Sequence, residues 1–212
     1  LMTKHHNQFT LLKERRFLPY FLTQFLGAFN DNIYKNALII LLAYQAGNLG
    51  VSDSNTLINL SAGFFILPFF LFSATSGQIA DKYEKSLLIR LIKLLEIIIM
   101  IFAAIGFYLN NVNLLMVVLF LMGTHSTFFG PTKYGILPQQ LKPEELIGGN
   151  GLVEMGTFLA ILLGTITGGV LISIKDSGPT LVSITAFTVA CLGYLASRSI
   201  PLTPSVAPNS TK

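Results

Sequence analysis

The sequence predicts an all-α transmembrane protein built as a bundle of six helices. Of its 212 residues, 52% are hydrophobic and only 11% are charged, a balance typical of chains that lie in lipid. Six apolar segments each reach the roughly 20 residues needed to cross about 30 Å of hydrocarbon. The predicted spans are residues 17–44, 56–80, 87–109, 114–137, 148–174 and 180–199.

Short connections join the spans and leave no room for a soluble domain between them. They contain the turn-forming residues Gly, Asn, Asp, Ser and Pro, as in Gly47-Asn48-Leu49-Gly50, Asn110-Asn111 and Asp176-Ser177-Gly178-Pro179. Ser, Thr and Gly dilute the sixth span, which packing against other helices makes tolerable. We therefore predict a tail at 1–16, the bundle at 17–200 and a Pro- and Ser-rich linker at 201–212.

Basic residues predict the orientation, because cytoplasmic loops carry an excess of Lys and Arg. The tail and the second and fourth loops contain Lys4, Lys13, Arg15, Arg16, Lys82, Lys85, Lys133 and Lys142, whereas the fifth loop has only Lys175. Both termini are expected in the cytoplasm. This distribution also explains the net charge of +4 without nucleic acid as a partner. The lone Cys191 provides neither a disulfide nor a cysteine metal site, and we expect no metal or cofactor.

The first span carries the most informative polar group, Asp31, near its midpoint. A carboxylate at the centre of a membrane costs roughly 2.5–3.5 kcal/mol on insertion scales, so it is expected to face the bundle interior or a wet cavity. Three roles are open: contact with substrate, pairing with Lys35 one helical turn away, and coupling to a proton or cation.

The loop after the second span contains a conformational latch in our interpretation. Its sequence, Gly77-Gln-Ile-Ala-Asp-Lys-Tyr-Glu-Lys-Ser86, resembles the loop signature of the major facilitator superfamily, from which it departs at Glu84 and Ser86. Gly77 would permit close approach of helices, and Asp81 would pair with a base such as Lys82 or Lys85 or cap a helix end. The alternative is an ordinary positively charged cytoplasmic loop.

The fifth span has a small residue at every fourth position, which predicts close helix packing along one face. The row is Gly156, Ala160, Gly164 and Gly168. Its end resembles the fifth-helix glycine and proline element of the same superfamily, but Thr165 stands where proline would. We interpret the row as packing, with a hinge as the alternative.

A more specific resemblance comes from three stretches in matching order. Residues 24–32 (QFLGAFNDN), 130–137 (GPTKYGIL) and 150–154 (NGLVE) are similar to the lysophospholipid transporter family of the major facilitator superfamily. The resemblance covers residues 17–200 but only the first six of the family's twelve spans. It implies half of that fold, in the bacterial inner membrane, and the inward flipping of lysophospholipids. It also implies acyltransferase or acyl-carrier-protein synthetase domains as possible partners.

The resemblance further implies that Asp31 and Lys133 lie on the substrate route, with Asn30 and Glu154 beside it. An acid and a base suit the amine and the phosphate of a zwitterionic headgroup. Lys133 would otherwise snorkel to the cytoplasmic edge, unless Pro131 breaks the helix and turns it back into a cavity. The alternative for Glu154 is a carboxylate stabilised by the helix dipole at the start of the fifth helix.

Four other polar residues of the spans are expected to have structural roles. Arg90 and Lys93 are expected to snorkel and Glu96 to pair with one of them. His125 is expected to hydrogen-bond a nearby Ser or Thr, with a proton relay as the alternative.

The function we predict is therefore transport of lysophospholipids or a related amphiphile by alternating access, by a truncated or half transporter. A separate second half or a second copy of this chain would complete the pathway. No acyltransferase, serine-hydrolase or phosphate-binding loop motif is present, so we expect no enzyme activity. The alternatives are a non-transporting membrane anchor for a phospholipid-acylating enzyme and a general solute transporter of the superfamily.

Overall fold

The computed structural model describes residues 8–45 and 53–203. The predicted first loop at 47–50 and most of the predicted terminal linker fall outside these ranges, as do residues 1–7 of the tail. Six α-helices follow in order: α1 Leu18–Gln45, α2 Ser54–Lys82, α3 Lys85–Tyr108, α4 Val112–Gln140, α5 Leu146–Ile172 and α6 Gly178–Arg198. A 3-10 helix, Gln8–Lys13, precedes α1, and a 3-10 turn, Pro143–Glu145, precedes α5.

By length and composition, four helical stretches of the described residues are able to cross a membrane. They are Ser54–Lys82, Val112–Gln140, Pro143–Ile172 and Gly178–Arg198. The other two helices, α1 and α3, are 28 and 24 residues long and pack against these four. Both carry buried polar groups in their middle, a pattern tolerated where neighbouring helices supply partners.

Each of the six helices packs mainly on one or two of the others. Helix α1 lies along α5 and α6, while α2 packs mainly on α4, and α3 lies between α4 and α6. A hydrophobic core contributed by α1, α3, α4 and α6 includes Leu38, Met100, Leu119 and Ala190. The outer surface is apolar as well: Phe70 of α2 is 80% exposed, as expected for a side chain that faces lipid.

Arg16 connects the start of α1 to the turn before α5. Its guanidinium donates to both carboxylate oxygens of Glu145, at 2.7 and 2.8 Å, and to the backbone oxygen of Gln140 at 2.8 Å. Such a bidentate pair fixes geometry as well as charge. The contact holds the N-terminal end of α1 beside the ends of α4 and α5.

The row of small residues on α5 faces α1. Gly156, Ala160, Gly164 and Gly168 are all buried. A Cβ atom placed on Gly164 would come within 2.5 Å of the backbone oxygen of Phe29, and one on Gly168 would overlap the backbone oxygen of Ile33. The backbones of α1 and α5 therefore approach closely only because these positions have no side chain.

Gly168→Ala should lower the free energy of unfolding by about 1–3 kcal/mol, the usual cost of overpacking a filled interface. Gly151→Ala on the same helix is the matched control, because an added Cβ there meets no atom within 4 Å. Alanine favours helix over glycine by up to about 1 kcal/mol, so the control should be neutral or slightly stabilising. Thermal unfolding in detergent measures both. Equal behaviour of the two variants would contradict the close approach.

The loop between α2 and α3 is organised by Glu84, one of the two departures from the superfamily signature. Its carboxylate accepts hydrogen bonds from the backbone N–H groups of Ser86 (3.0 Å), Leu87 (2.9 Å) and Thr203 (2.8 Å). It thus caps α3 and holds the segment after α6 against this loop. Burial raises the pKa of Glu84, but hydrogen bonds from the Ser86 hydroxyl and from these three N–H groups outweigh it and leave the pKa below its usual value.

The predicted latch residues are not brought together in this structure. A Cβ on Gly77 would meet nothing within 4 Å, so no helix approaches it closely among the described residues. The Asp81 residue is exposed. Lys82 is exposed near the ring of Tyr83, whereas Lys85 is buried. Helix capping in this loop is performed by Glu84, whose position at the start of α3 lets its oxygens reach free N–H groups.

Acidification should release Thr203 from this loop. Because the folded pKa of Glu84 is lowered, its stabilising contribution is present above the unfolded value of about 4.3 and is lost as the pH falls through the folded value. We expect the protection of the Thr203 amide against hydrogen exchange to drop over that range. Glu84→Ala, which removes the acceptor, should show low protection already at pH 7. Glu144→Ala, at an exposed acid, should match the unmodified protein, and protection independent of Glu84 would refute the contact.

Candidate functional site

A cavity of about 370 Å³ opens in the middle of the bundle, which we call the central cavity. All of α1 to α5 contribute to its walls. Its apolar lining includes Phe65, Phe69, Phe129 and Ile161. Its polar lining comprises Gln24, Asp31, Asn32, Lys35, Lys93, His125, Ser126, Lys133, Tyr134 and Thr157. A cavity of this size with a few convergent polar groups is the usual form of a small-molecule site.

Asp31 projects into the central cavity from the middle of α1. One carboxylate oxygen accepts a hydrogen bond from the Ser126 hydroxyl of α4 at 2.7 Å. The other oxygen is buried and has no hydrogen-bond partner among the described residues. Lys35 does not form the intrahelical pair considered from sequence, since its ammonium lies 4.3 Å above the ring of Phe65. One acceptor of Asp31 is therefore unused among the described residues.

Lys133 reaches the same cavity from α4. Its ammonium donates to the hydroxyl of Thr157 at 2.9 Å, and that hydroxyl donates to the side-chain oxygen of Gln24 at 3.0 Å. The Lys133 residue is only 9% exposed, so it does not snorkel to the cytoplasmic edge. Nor does Pro131 break the helix, because α4 runs without interruption from Val112 to Gln140. Packing against α1 and α5, and not a turn at Pro131, is what places this base inside.

Glu154 and Asn30 lie beside the central cavity and are not among the residues that line it. Glu154 accepts a hydrogen bond from the Tyr134 hydroxyl at 2.6 Å and lies 3.9 Å from the Lys133 ammonium, but it is not among the residues that line the central cavity. Asn30 is fully buried and donates to Glu96 at 2.8 Å. Glu154 thus contacts two residues that line the cavity, whereas Asn30 contacts Glu96, which does not line it.

A second polar cluster lies next to the cavity, formed by Asn30, Lys93, Glu96 and His125. The Lys93 ammonium pairs with one oxygen of Glu96, and Nε2 of His125 lies 3.2 Å from that same oxygen. Lys93 and Glu96 are each only 1% exposed. The expected pairing of Glu96 with a base is therefore present, but Lys93 does not snorkel and His125 faces an acid instead of a hydroxyl.

Two glycines make room for Lys93. A Cβ on Gly27 of α1 would approach its ammonium to 3.1 Å, and a Cβ on Gly193 of α6 would approach it to 3.0 Å. Neither glycine stood out in the sequence as a site residue. The one signal that points to this cluster is the position of Glu96 twelfth in the 24-residue helix α3, at its centre and not in its first turns.

The arrangement suits a ligand that carries both charges. In such a ligand an ammonium would match the unpartnered oxygen of Asp31, a phosphate would match the Lys133 ammonium, and apolar groups would match the aromatic wall. Among the described residues, no group of three or more His, Cys, Asp or Glu side chains is placed to hold a metal ion.

Comparison with known proteins gives a consistent result. Residues 20–212 match the family model described as Major Facilitator Superfamily. The chain is 31% identical over 82% of its length to the "Lysophospholipid transporter LplT" of Escherichia fergusonii and 27% identical over 93% to that of Serratia proteamaculans. It spans 40% and 46% of those two relatives. The six-helix bundle and this match confirm the predicted half of the superfamily fold. The chain belongs to the Major Facilitator Superfamily and is a multi-pass membrane protein.

Proposed function

We propose that this chain forms half of a transporter that moves lysophospholipids, or a closely related amphiphile, across a membrane by alternating access. The observation that carries the proposal is the placement of Asp31, with one buried and unpartnered oxygen, and Lys133 on the same cavity. A lone buried acceptor costs stability unless a ligand uses it. The names of the relatives support the lipid as the substrate class.

The headgroup would bind with its ammonium on Asp31 and its phosphate on Lys133. Thr157 orients Lys133 through the 2.9 Å hydrogen bond, and Ser126 orients Asp31. The single acyl chain would lie along the aromatic side of the cavity at Phe65, Phe69 and Phe129. Charge recognition at one end and apolar contact at the other select an amphiphile over a sugar.

A second six-helix unit is part of the proposal, either a separately encoded half or a second copy of this chain. Superfamily transporters bind their substrate near the midplane between two such halves, and alternating access rocks one against the other. The latch formed by Gly77, Asp81, Lys82 and Lys85 would act between these halves, which agrees with the exposure of Asp81 and Lys82 here.

The inner membrane is proposed from the family resemblance, and the cytoplasmic position of both termini from the distribution of Lys and Arg. The chain itself is proposed to carry out transport without catalysis. An acyltransferase or acyl-carrier-protein synthetase would consume the lipid after transport as a separate partner.

Uptake of labelled lysophosphatidylethanolamine by spheroplasts that express the full-length protein tests the function. We expect uptake above that of control cells and competition by other lysophospholipids. Sugars and hydrophilic drugs should not compete. Uptake no higher than in control cells would overturn the proposal. Competition by sugars but not by lysophospholipids would replace it with general solute transport.

A further inference from the structure

A second cavity of about 410 Å³ lies beside the central cavity, and we call it the outer cavity. Residues of α1, α2, α4 and α5 line it. It shares Asn32, Lys35 and Phe65 with the central cavity, so the two are contiguous along α1. Nothing in the proposed headgroup contacts of Asp31 and Lys133 uses it.

Lys35 is the one charged residue that lines the outer cavity. Among the described residues, no carboxylate lies within 4.0 Å of its ammonium, which rests over the ring of Phe65. A ring face holds a cation more weakly than a carboxylate does, so the ammonium is free to exchange this contact for an anion.

The remaining walls of the outer cavity divide into a polar and an apolar part. The Asn36 amide donates to the Thr165 hydroxyl at 3.1 Å, which places an amide and a hydroxyl near Lys35. The apolar part consists of Ile39, Ala62, Ile66 and Leu119. A cation, neutral polar groups and an apolar wall are the recognition elements for a phosphate joined to a hydrocarbon chain.

Along the direction of α1, the charged side chains of the two cavities follow the order Lys133 of α4, Asp31 of α1 and Lys35 of α1. Lys133 is tied through Thr157 to Gln24, Asp31 follows two turns later, and Lys35 comes one turn beyond Asp31. At 1.5 Å per residue, the 11 residues from Gln24 to Lys35 span roughly 16 Å. Lys133 and Lys35 therefore lie on opposite sides of Asp31 along the direction of α1.

We propose that Lys35 forms a second phosphate site, from which the substrate's phosphate is handed over to Lys133 while Asp31 holds the amine. This inference rests on the proposed function. The outer cavity is the site reached first from the membrane side on which α1 ends, at Gln45, and Lys133 is the site reached first from the opposite side. Lys35 is thus a binding residue for one direction of approach.

Transport measured in vesicles of both orientations, prepared from cells with the full-length protein, tests the hand-over. Lys35→Gln should raise the half-saturating lysophosphatidylethanolamine concentration about tenfold when the lipid is added on the side of the membrane where α1 ends, at Gln45. The value should stay unchanged when the lipid is added on the opposite side. Lys35→Arg should stay within about twofold of the unmodified protein, because it keeps the charge. Lys175→Gln, at an exposed lysine in the loop before α6, is the matched control and should change neither orientation.

Protection of the unmodified protein from an amine-reactive reagent gives a second measurement that needs no variant. Lysophosphatidylglycerol, which carries the phosphate but no amine for the reagent to modify, should slow the labelling of Lys35 severalfold relative to Lys175. Monoacylglycerol, which lacks the phosphate, should not.

An equal loss in both orientations, no loss in either, or equal protection by the two lipids would overturn the second phosphate site and leave the proposed function standing. Absence of lysophospholipid transport in the unmodified protein would instead remove both.

Discussion

Lys93→Met should lower the free energy of unfolding of the bundle by about 3–5 kcal/mol. The reason is that Glu96, only 1% exposed, would lose its charged partner and keep only the Asn30 amide and His125 beside it. Methionine is close to lysine in length and fits the space left by Gly27 and Gly193, so the loss reflects charge and not a cavity. Thermal unfolding in detergent provides the measurement.

The double variant Lys93→Met with Glu96→Gln separates charge from packing. Neutralising both partners removes the unpaired carboxylate, while the glutamine oxygen still accepts from Asn30, so much of the lost stability should return. Lys175→Met, at an exposed lysine in the loop before α6, is the matched control and should change little. If the double variant is as unstable as Lys93→Met alone, the pair does not act through its charges.

The helices were predictable because hydrocarbon allows few backbone conformations for a membrane-spanning segment. The first and last residues of every predicted span lie within about three residues of those of an observed helix. Asn111 caps α4, in the loop that was predicted at Asn110-Asn111. Apolar length and polar turns suffice for this level, since a chain in hydrocarbon must satisfy its backbone within helices.

The site was only partly predictable, because facing directions depend on how helices pack. Asn30 and Asp31 are neighbours in sequence, yet Asn30 turns to Glu96 on α3 and Asp31 turns to Ser126 on α4. A sequence shows that both are polar and near the centre of a span, but not which helix lies opposite each. The same holds for Lys133, where a local argument favoured snorkelling and contact with Thr157 of α5 decided otherwise.

Lys93 shows a further limit of sequence reasoning. A lysine in the first half of a span usually extends to the membrane surface. Here the glycines of two other helices, α1 and α6, leave a space that it fills, and Glu96 compensates its charge. Such a site is specified jointly by residues 27, 93, 96 and 193, and no local pattern connects them.

Asp31→Asn should reduce lysophosphatidylethanolamine transport by about 10- to 100-fold. The free oxygen of Asp31 would offer the substrate's ammonium a charge-assisted hydrogen bond, worth about 1.5–3 kcal/mol, and asparagine removes that charge while keeping the shape. Initial uptake rates over a range of lipid concentrations give the measurement. Asp176→Asn, at an exposed acid in the loop before α6, should have no effect.

The choice of lipid distinguishes headgroup recognition from a structural role of Asp31. Lysophosphatidylglycerol carries the phosphate but no amine, so Asp31→Asn should impair its transport far less than that of lysophosphatidylethanolamine. Lys133→Ala should impair both equally, because both present a phosphate to that base. Ser126→Ala should cause a smaller loss for either lipid, since it removes only the hydroxyl that orients Asp31 at 2.7 Å. Equal losses of both lipids in Asp31→Asn would mean that this carboxylate supports the bundle and does not bind the amine.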